Sequence, residues 1–176
     1  MRILAISGSL RAKSSNTAAL KAASRLAPPG VEVELFEGIG ELPHFNPDVD
    51  DEGPPPSVIE WRRRVDSAGG LLISSPEYAR GVAGVMKNAL DWLVSGPEFY
   101  EKPVAVINAS PRSTHADASL RLTLTTMSGR VIGPASISLP LLGRNLDADG
   151  ILADPALSSA LRGALLSFAA AVEAGS

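Results

Sequence analysis

Three stretches of the chain hold side chains suited to binding an anion and a flat heterocycle. The first is Ser7-Gly8-Ser9-Leu10-Arg11-Ala12-Lys13-Ser14-Ser15-Asn16-Thr17. It joins an apolar run to a helix signal and offers hydroxyls, a guanidinium, an amide and backbone N–H groups at the positive end of a helix. Those are the parts of a phosphate cradle. Lys13 stands where a Walker loop has its second glycine, and the Gly-Lys-Ser/Thr ending is missing. Gly8 has no second glycine two residues on, so the dinucleotide fingerprint is missing too. A terminal monophosphate suits the loop better than a pyrophosphate. Without Arg11 the same stretch would read as a Ser-rich turn with Ser15 or Asn16 as an ordinary N-cap.

The second stretch is Ser74-Ser75-Pro76-Glu77-Tyr78-Ala79-Arg80-Gly81-Val82-Ala83-Gly84. Pro76 fixes one backbone angle, and Gly81 and Gly84 permit turns or the close approach of a planar ligand. Backbone N–H groups near Glu77 and Tyr78 can serve the carbonyls of a heterocycle, and the Tyr78 ring can pack on its face. The third stretch, Asn108 to Asp117, adds Ser110, Arg112, Ser113 and His115. His115 reads best as a solvent-facing residue near a helix start.

Other chemistry is excluded by what the chain lacks. Its 176 residues contain no cysteine and two histidines, His44 and His115. Thiol nucleophiles, disulfides, thiolate metal sites and iron–sulfur clusters are therefore ruled out, and a multi-His metal site is disfavoured. Sixteen basic against 19 acidic residues give a net charge of -3, which disfavours general nucleic-acid binding. Any electrons must travel through a borrowed organic cofactor. The run before Ser7 is too short for a signal-peptide core, and Ala164–Val172 falls short of the roughly 20 residues that span a bilayer. A cytoplasmic protein without membrane contact is expected.

The elements that must position these loops follow from periodicity. Ile3–Ile6, Leu71–Ile73 and Val104–Ile107 are continuous apolar runs, expected of strands buried on both faces. Val31–Leu35 alternates strictly, and Val131–Leu139 does so more weakly, as expected of edge strands. Helix signals cover Asn16–Ala27, Ser57–Ser67, Val82–Ser95, Ala116–Met127 and the stretch after Asp154, where Asp154 and Pro155 form a good start. Residues 37–56 read as a long loop. Strand–helix alternation predicts one domain over 1–176, a three-layer doubly wound α/β fold with a five-stranded parallel sheet in the flavodoxin-like order 2-1-3-4-5. Ligands in such sheets sit beyond the carboxyl ends of the strands at the switch point between strands one and three, where the three stretches converge.

Ser75-Pro76-Glu77-Tyr78 followed by Gly84-Val85-Met86-Lys87-Asn88-Ala89-Leu90-Asp91-Trp92 resembles the signature of the NADPH-dependent FMN reductase family. Gly8-Ser9-Leu10-Arg11 with Ser14 and Asn16 is similar to its phosphate loop. Leu42–Asp48 and Lys102-Pro103-Val104 match two further segments, so the likeness covers roughly residues 1–127 in the expected order. The resemblance implies bound FMN, with Ser9, Arg11, Ser14, Ser15, Asn16 and Thr17 holding its phosphate. Pro76, Glu77 and Tyr78 would line the ring largely through backbone groups, and Ser110 would border its other edge with Arg112 and Ser113. Ala79 stands where the family commonly has Asn and Ala83 where it often has Pro, and residues 110–117 lack the usual glycines.

The implied activity is electron transfer from NADPH or NADH through FMN to a small acceptor such as a flavin, quinone, azo compound or metal oxyanion. The cofactor performs that chemistry, so no catalytic side chain and no metal ligand is assigned. The alternative is a flavodoxin-type electron carrier or flavin-binding module without NAD(P)H turnover. Carriers of that kind are usually far more acidic than -3. Around the helix at Val85–Ser95, apolar residues occupy about 200°, wider than the ~100° needed to cover one sheet face. With the family resemblance, that width leads us to expect a homodimer or homotetramer.

Overall fold

The computed structural model describes residues 1–175. In chain order the first half comprises β1 (Arg2–Ser7), α1 (Ser15–Arg25), β2 (Glu32–Phe36), α2 (Pro47–Glu52), α3 (Pro56–Asp66) and β3 (Gly70–Ser74). A hairpin of β4 (Glu77–Tyr78) and β5 (Gly81–Val82) follows, then α4 (Gly84–Asp91), β6 (Pro103–Asn108) and α5 (Thr114–Thr126). The chain continues through β7 (Arg130–Val131), β8 (Ile137–Ser138), α6 (Ala148–Ala153) and α7 (Pro155–Glu173). The main sheet runs β2-β1-β3-β6-β7, all parallel, with β8 pairing further along β6. This is the flavodoxin-like order 2-1-3-4-5, with its fifth strand in two pieces.

The continuous apolar runs are divided between two cores by the pleat. Ile3, Ala5, Leu72, Ala105 and Ile107 face one side, where α1 and α7 cover them. Leu4, Ile6, Leu71, Ile73, Val104 and Val106 face the other, against Val58, Trp61 and Val65 of α3 and Met86, Ala89 and Leu90 of α4. Residues two apart share a face, so only a strand covered on both sides needs apolar side chains at every position. Small residues on α1 (Ala18, Ala19, Ala22 and Ala23) bring that helix close to the sheet. α7 lays Phe168 over the first residue of β3, and a Cβ on Gly70 would fall 2.8 Å from Phe168 Cζ. The 19 residues of α7 are apolar enough by composition to span a bilayer. Their stripe from Leu157 to Val172 is instead spent on the core.

The split fifth strand has a local cause. Gly133–Ala135 forms a 3-10 turn between β7 and β8, and Pro134 within it has no N–H for a ladder. Ser136 repairs the gap: its hydroxyl accepts from Val106 N at 3.0 Å and donates to Ile132 O at 2.9 Å.

Several element ends differ from those expected. The N-cap of α1 is Ser14, not Ser15 or Asn16; its hydroxyl accepts from Thr17 N at 3.3 Å. α3 begins at Pro56 behind Pro55, one residue before the expected start at Ser57. The expected loop 37–56 contains α2, started by Asn46, whose side chain accepts from Asp48 N at 3.0 Å. Of the consecutive Arg62, Arg63 and Arg64 on α3, the first is turned inward. It donates to Trp92 O at 2.8 Å, Asp50 Oδ2 at 3.0 Å and Ser95 Oγ at 2.8 Å, tying α2, α3 and the end of α4 together. The wide apolar arc after Val85 is also largely covered within the chain, since Met86, Ala89, Leu90, Trp92 and Leu93 are buried and Val94 alone is fully outward.

Candidate functional site

A cleft of about 1060 Å³ opens at the carboxyl ends of β1, β3 and β6. All ten residues expected at the site line it: Ser9, Arg11, Ser14, Ser15, Asn16 and Thr17 on one wall, Pro76, Glu77 and Tyr78 on a second, and Ser110 on a third. Arg112 and Ser113 lie on the third wall too, whereas exposed His115 is outside the lining.

The first wall is built by short-range bonds. Ser7 and Thr17 share a hydroxyl–hydroxyl bond of 2.8 Å across the loop. Ser9 N donates to Ser7 Oγ at 3.3 Å, and Arg11 N donates to Ser9 Oγ at 3.4 Å. One longer link fixes the helix start: the buried Ser74 hydroxyl is placed between Asn16 Oδ1 at 2.9 Å and Ile107 O at 2.7 Å. That arrangement ties the Asn16 side-chain amide to the end of β3. Ser15 and Asn16, in the first turn of α1, have N–H groups without intrahelical acceptors. Anion-binding donors are therefore presented together at a helix N-terminus.

Charge around the cleft points the same way. Arg11, Lys13, Lys21 and Arg112 line it, and among the described residues none of them forms an ion pair. The lining carboxylates, Glu77 and Asp147, are both committed to helix starts. Glu77 Oε2 accepts from Ala116 N at 2.9 Å, and Asp147 Oδ1 accepts from Gly150 N at 2.9 Å.

The second wall turns on the hairpin, whose tip residues Ala79 and Arg80 have φ of 50° and 61°. Two left-handed residues at a hairpin tip are the mark of a turn that favours Asn or Gly. Beneath this wall, Gly8 and Ser75 meet closely: a Cβ at Gly8 would lie 2.3 Å from Ser75 Oγ. Among the described residues that buried hydroxyl has no hydrogen-bond partner. The signature after the hairpin acts as scaffold rather than as site. Asn88 accepts from Phe45 N at 2.8 Å and donates to Pro43 O at 2.9 Å, and Trp92 Nε1 donates to the same carbonyl at 2.8 Å.

The third wall is shaped by Asn108, which accepts from Ser110 N at 3.0 Å and donates to Ser113 O at 3.1 Å. A fourth wall was missed by sequence reasoning. Leu142, Gly143, Asn145, Leu146, Asp147 and Ala148 close the side of the cleft next to α1. Gly143 and Asn145 are left-handed, and Asp147 caps α6. The Gly-Arg-Asn-Leu-Asp order was a readable turn-and-cap signal.

The arrangement can hold a phosphate monoester at the α1 end and a flat polar ring between the hairpin and the third wall. The model of the NADPH-dependent FMN reductase family matches residues 1–141. An NAD(P)H-dependent FMN reductase of Pseudomonas aeruginosa is 38% identical over 159 residues, covering 88% of this chain and 85% of its own. A probable NADPH:quinone oxidoreductase of Oryza sativa is 32% identical, covering 97% and 88%. Among solved structures, the flavoenzyme NAD(P)H:(acceptor) oxidoreductase FerB of Paracoccus denitrificans superposes with a TM-score of 0.84 at 29% identity, covering 98% and 97%.

Proposed function

The chain belongs to the NADPH-dependent FMN reductase family, and from that premise we propose that it is an FMN-dependent NAD(P)H oxidoreductase delivering electrons to a small-molecule acceptor. The observation that carries the reading is the cleft itself, in which the phosphate-type donors of α1 and the hairpin of the family signature share one cavity. The residues present fit FMN. Four cations that form no ion pair among the described residues, with the N–H groups at the start of α1, suit a phosphate dianion. Gly8, lacking a Cβ, lets Ser75 pack directly beneath the phosphate loop and so holds the first two walls together.

When bound, FMN supplies the capacity to take up hydride from NAD(P)H and pass electrons onward. The chain's own part is to bind, orient and exclude. Arg11, Ser9, Ser14, Ser15, Asn16 and Thr17 would hold the phosphate end. Pro76, Glu77 and Tyr78 would present backbone donors to one edge of the ring, and Ser110 would border the other. Donors preorganised toward a ring that gains negative charge on reduction stabilise that charge without rearranging. Tyr78, 56% exposed at the cleft, leaves the mouth open to a second ligand. No side chain is required as acid, base or nucleophile.

Quinones and flavins are the acceptors we favour, since the relatives named above reduce them by their descriptions. We also infer a homodimer, because Val94, Tyr100 and Leu122 present large apolar side chains outward. A species that sediments only as a monomer would overturn that. Anaerobic mixing of the FMN-loaded protein with NADPH and with NADH tests the activity. Rapid bleaching of the yellow colour is expected with at least one of them. Persistent colour with both would favour the electron carrier.

A further inference from the structure

We infer that Glu77 is a positioning residue, whose side chain latches the β4–β5 hairpin to the first turn of α5 and so fixes the width of the slot that receives the ring. The inference rests on the FMN reading above and extends it to a side chain otherwise expected to contribute only backbone groups.

The hairpin is too small to hold its own position. Its two strands pair only Glu77 with Val82 and Tyr78 with Gly81, and isolated two-stranded ribbons are marginal even when longer. The left-handed Ala79 and Arg80 at its tip weaken it further, since neither residue type favours that conformation. Something outside the hairpin must place it.

α5, for its part, lacks a cap of its own. Ser113 stands at the N-cap but makes no side-chain cap bond, and Asp117 in the first turn is engaged with Arg121 at 2.7 Å. The first N–H groups of a helix need acceptors from elsewhere. Glu77 supplies one across 39 residues of sequence, with Oε2 accepting from Ala116 N at 2.9 Å. A carboxylate at that end of a helix is also favoured by the macrodipole. Neither oxygen of Glu77 pairs with an Arg or Lys among the described residues, so no ion pair competes with the Oε2 bond to Ala116 N.

The partner element is rigid where the latch engages it. Asn108 braces the 108–113 loop from both its amide atoms, and Ser113 N donates to Ser110 O at 2.9 Å. One wall of the slot is thus fixed internally, and the other is fixed to it through Glu77. Losing the latch frees the hairpin wall while leaving the phosphate wall untouched.

The test compares Glu77→Ala with Glu77→Gln, whose amide oxygen can accept the same bond. Two measurements are needed: FMN affinity by fluorescence titration, and hydrogen exchange of the Ala116 amide in the FMN-free protein. Glu77→Ala is expected to weaken FMN binding by about tenfold or more and to expose the Ala116 amide. Glu77→Gln should keep that amide protected and bind FMN within about fivefold of the wild type. Asp117→Asn, one residue further along α5, serves as a control that should bind as the wild type does. Wild-type affinity in Glu77→Ala overturns the inference, as does a loss in Glu77→Gln equal to that in Glu77→Ala. If the wild-type protein itself binds no FMN, the FMN reading fails and the slot assignment falls with it. Ala116 exchange then still decides whether the latch exists.

Discussion

The two ends of the cleft are built in opposite ways. The phosphate end comes from one stretch of 11 residues at a strand-to-helix junction; most of its bonds link residues two to ten apart, and its long-range bonds, at Gly8 N and the Asn16 amide oxygen, converge on the single residue Ser74. The ring end is assembled from separate segments joined by long-range contacts: Glu77 to Ala116 across 39 residues, Asn88 to Pro43 across 45 and Trp92 to Pro43 across 49. A locally built site inherits its geometry from the local fold and can be altered without loosening the molecule. A site assembled from afar shares its supports with the core, so damage to one is damage to both.

That contrast is broken most severely at Arg62, a support behind the ring end. Its side chain is 15% exposed and that of Asp50 8%, with Nη1 to Oδ1 at 2.9 Å. Arg62→Ala leaves a buried carboxylate without its partner and should cost about 3–5 kcal/mol of stability, read by denaturant unfolding. Unchanged stability would show that the scaffold is not shared. The same pair predicts an acid limb. The Arg62 bond, with a further bond from Ser95, holds the Asp50 carboxyl below its ordinary value of 3.8 against the opposing effect of desolvation. With the folded pKa depressed, the stabilisation is complete above 3.8 and is lost as pH falls through the folded value. Asp50→Asn should therefore flatten the loss of stability as pH falls below 3.8.

Arg11→Ala probes the opposite end. It should weaken FMN binding by about 1.5–3 kcal/mol, the worth of a charge-assisted contact, while the melting temperature of the FMN-free protein stays put. Equal losses of affinity and apo stability would erase the distinction between the two ends. The smallest effect belongs to the hairpin tip. Ala79→Gly relieves a residue at φ 50° and should raise stability by up to about 1 kcal/mol, seen as a higher melting temperature. A lower melting temperature would mean that the alanine methyl group makes a contact worth more than the backbone relief.

The same division explains how much could be read from sequence. The order of the sheet followed from continuous against alternating apolar runs, because double-sided burial leaves a direct mark on residue type. All six expected phosphate-loop residues line the cleft, since a contiguous stretch carries its own spacing. The wall at Leu142–Ala148 escaped, although its Gly143, Asn145 and Asp147 are ordinary turn and cap residues. Nothing local tells that such a turn packs beside α1. Arg62 is hidden in the sequence for the related reason that a run of three arginines looks alike. Only the approach of Asp50, Trp92 and Ser95 separates the first from the other two. The apolar arc after Val85 hid the chain's own loop, which Asn88 and Trp92 draw over it.

The broken fifth strand bears on how the protein behaves when crowded against its own copies. A long, regular outer strand offers a row of unpaired N–H and C=O groups on which another chain can grow a further strand. Here β7 and β8 have two residues each and are separated by a turn containing Pro134, which has no amide hydrogen to offer. Ser136 turns its hydroxyl inward to serve Val106, so the inner ladder is completed without a continuous outer one. The margin of the sheet next to the cleft can thus stay open to small molecules while giving little purchase to fibril-like growth.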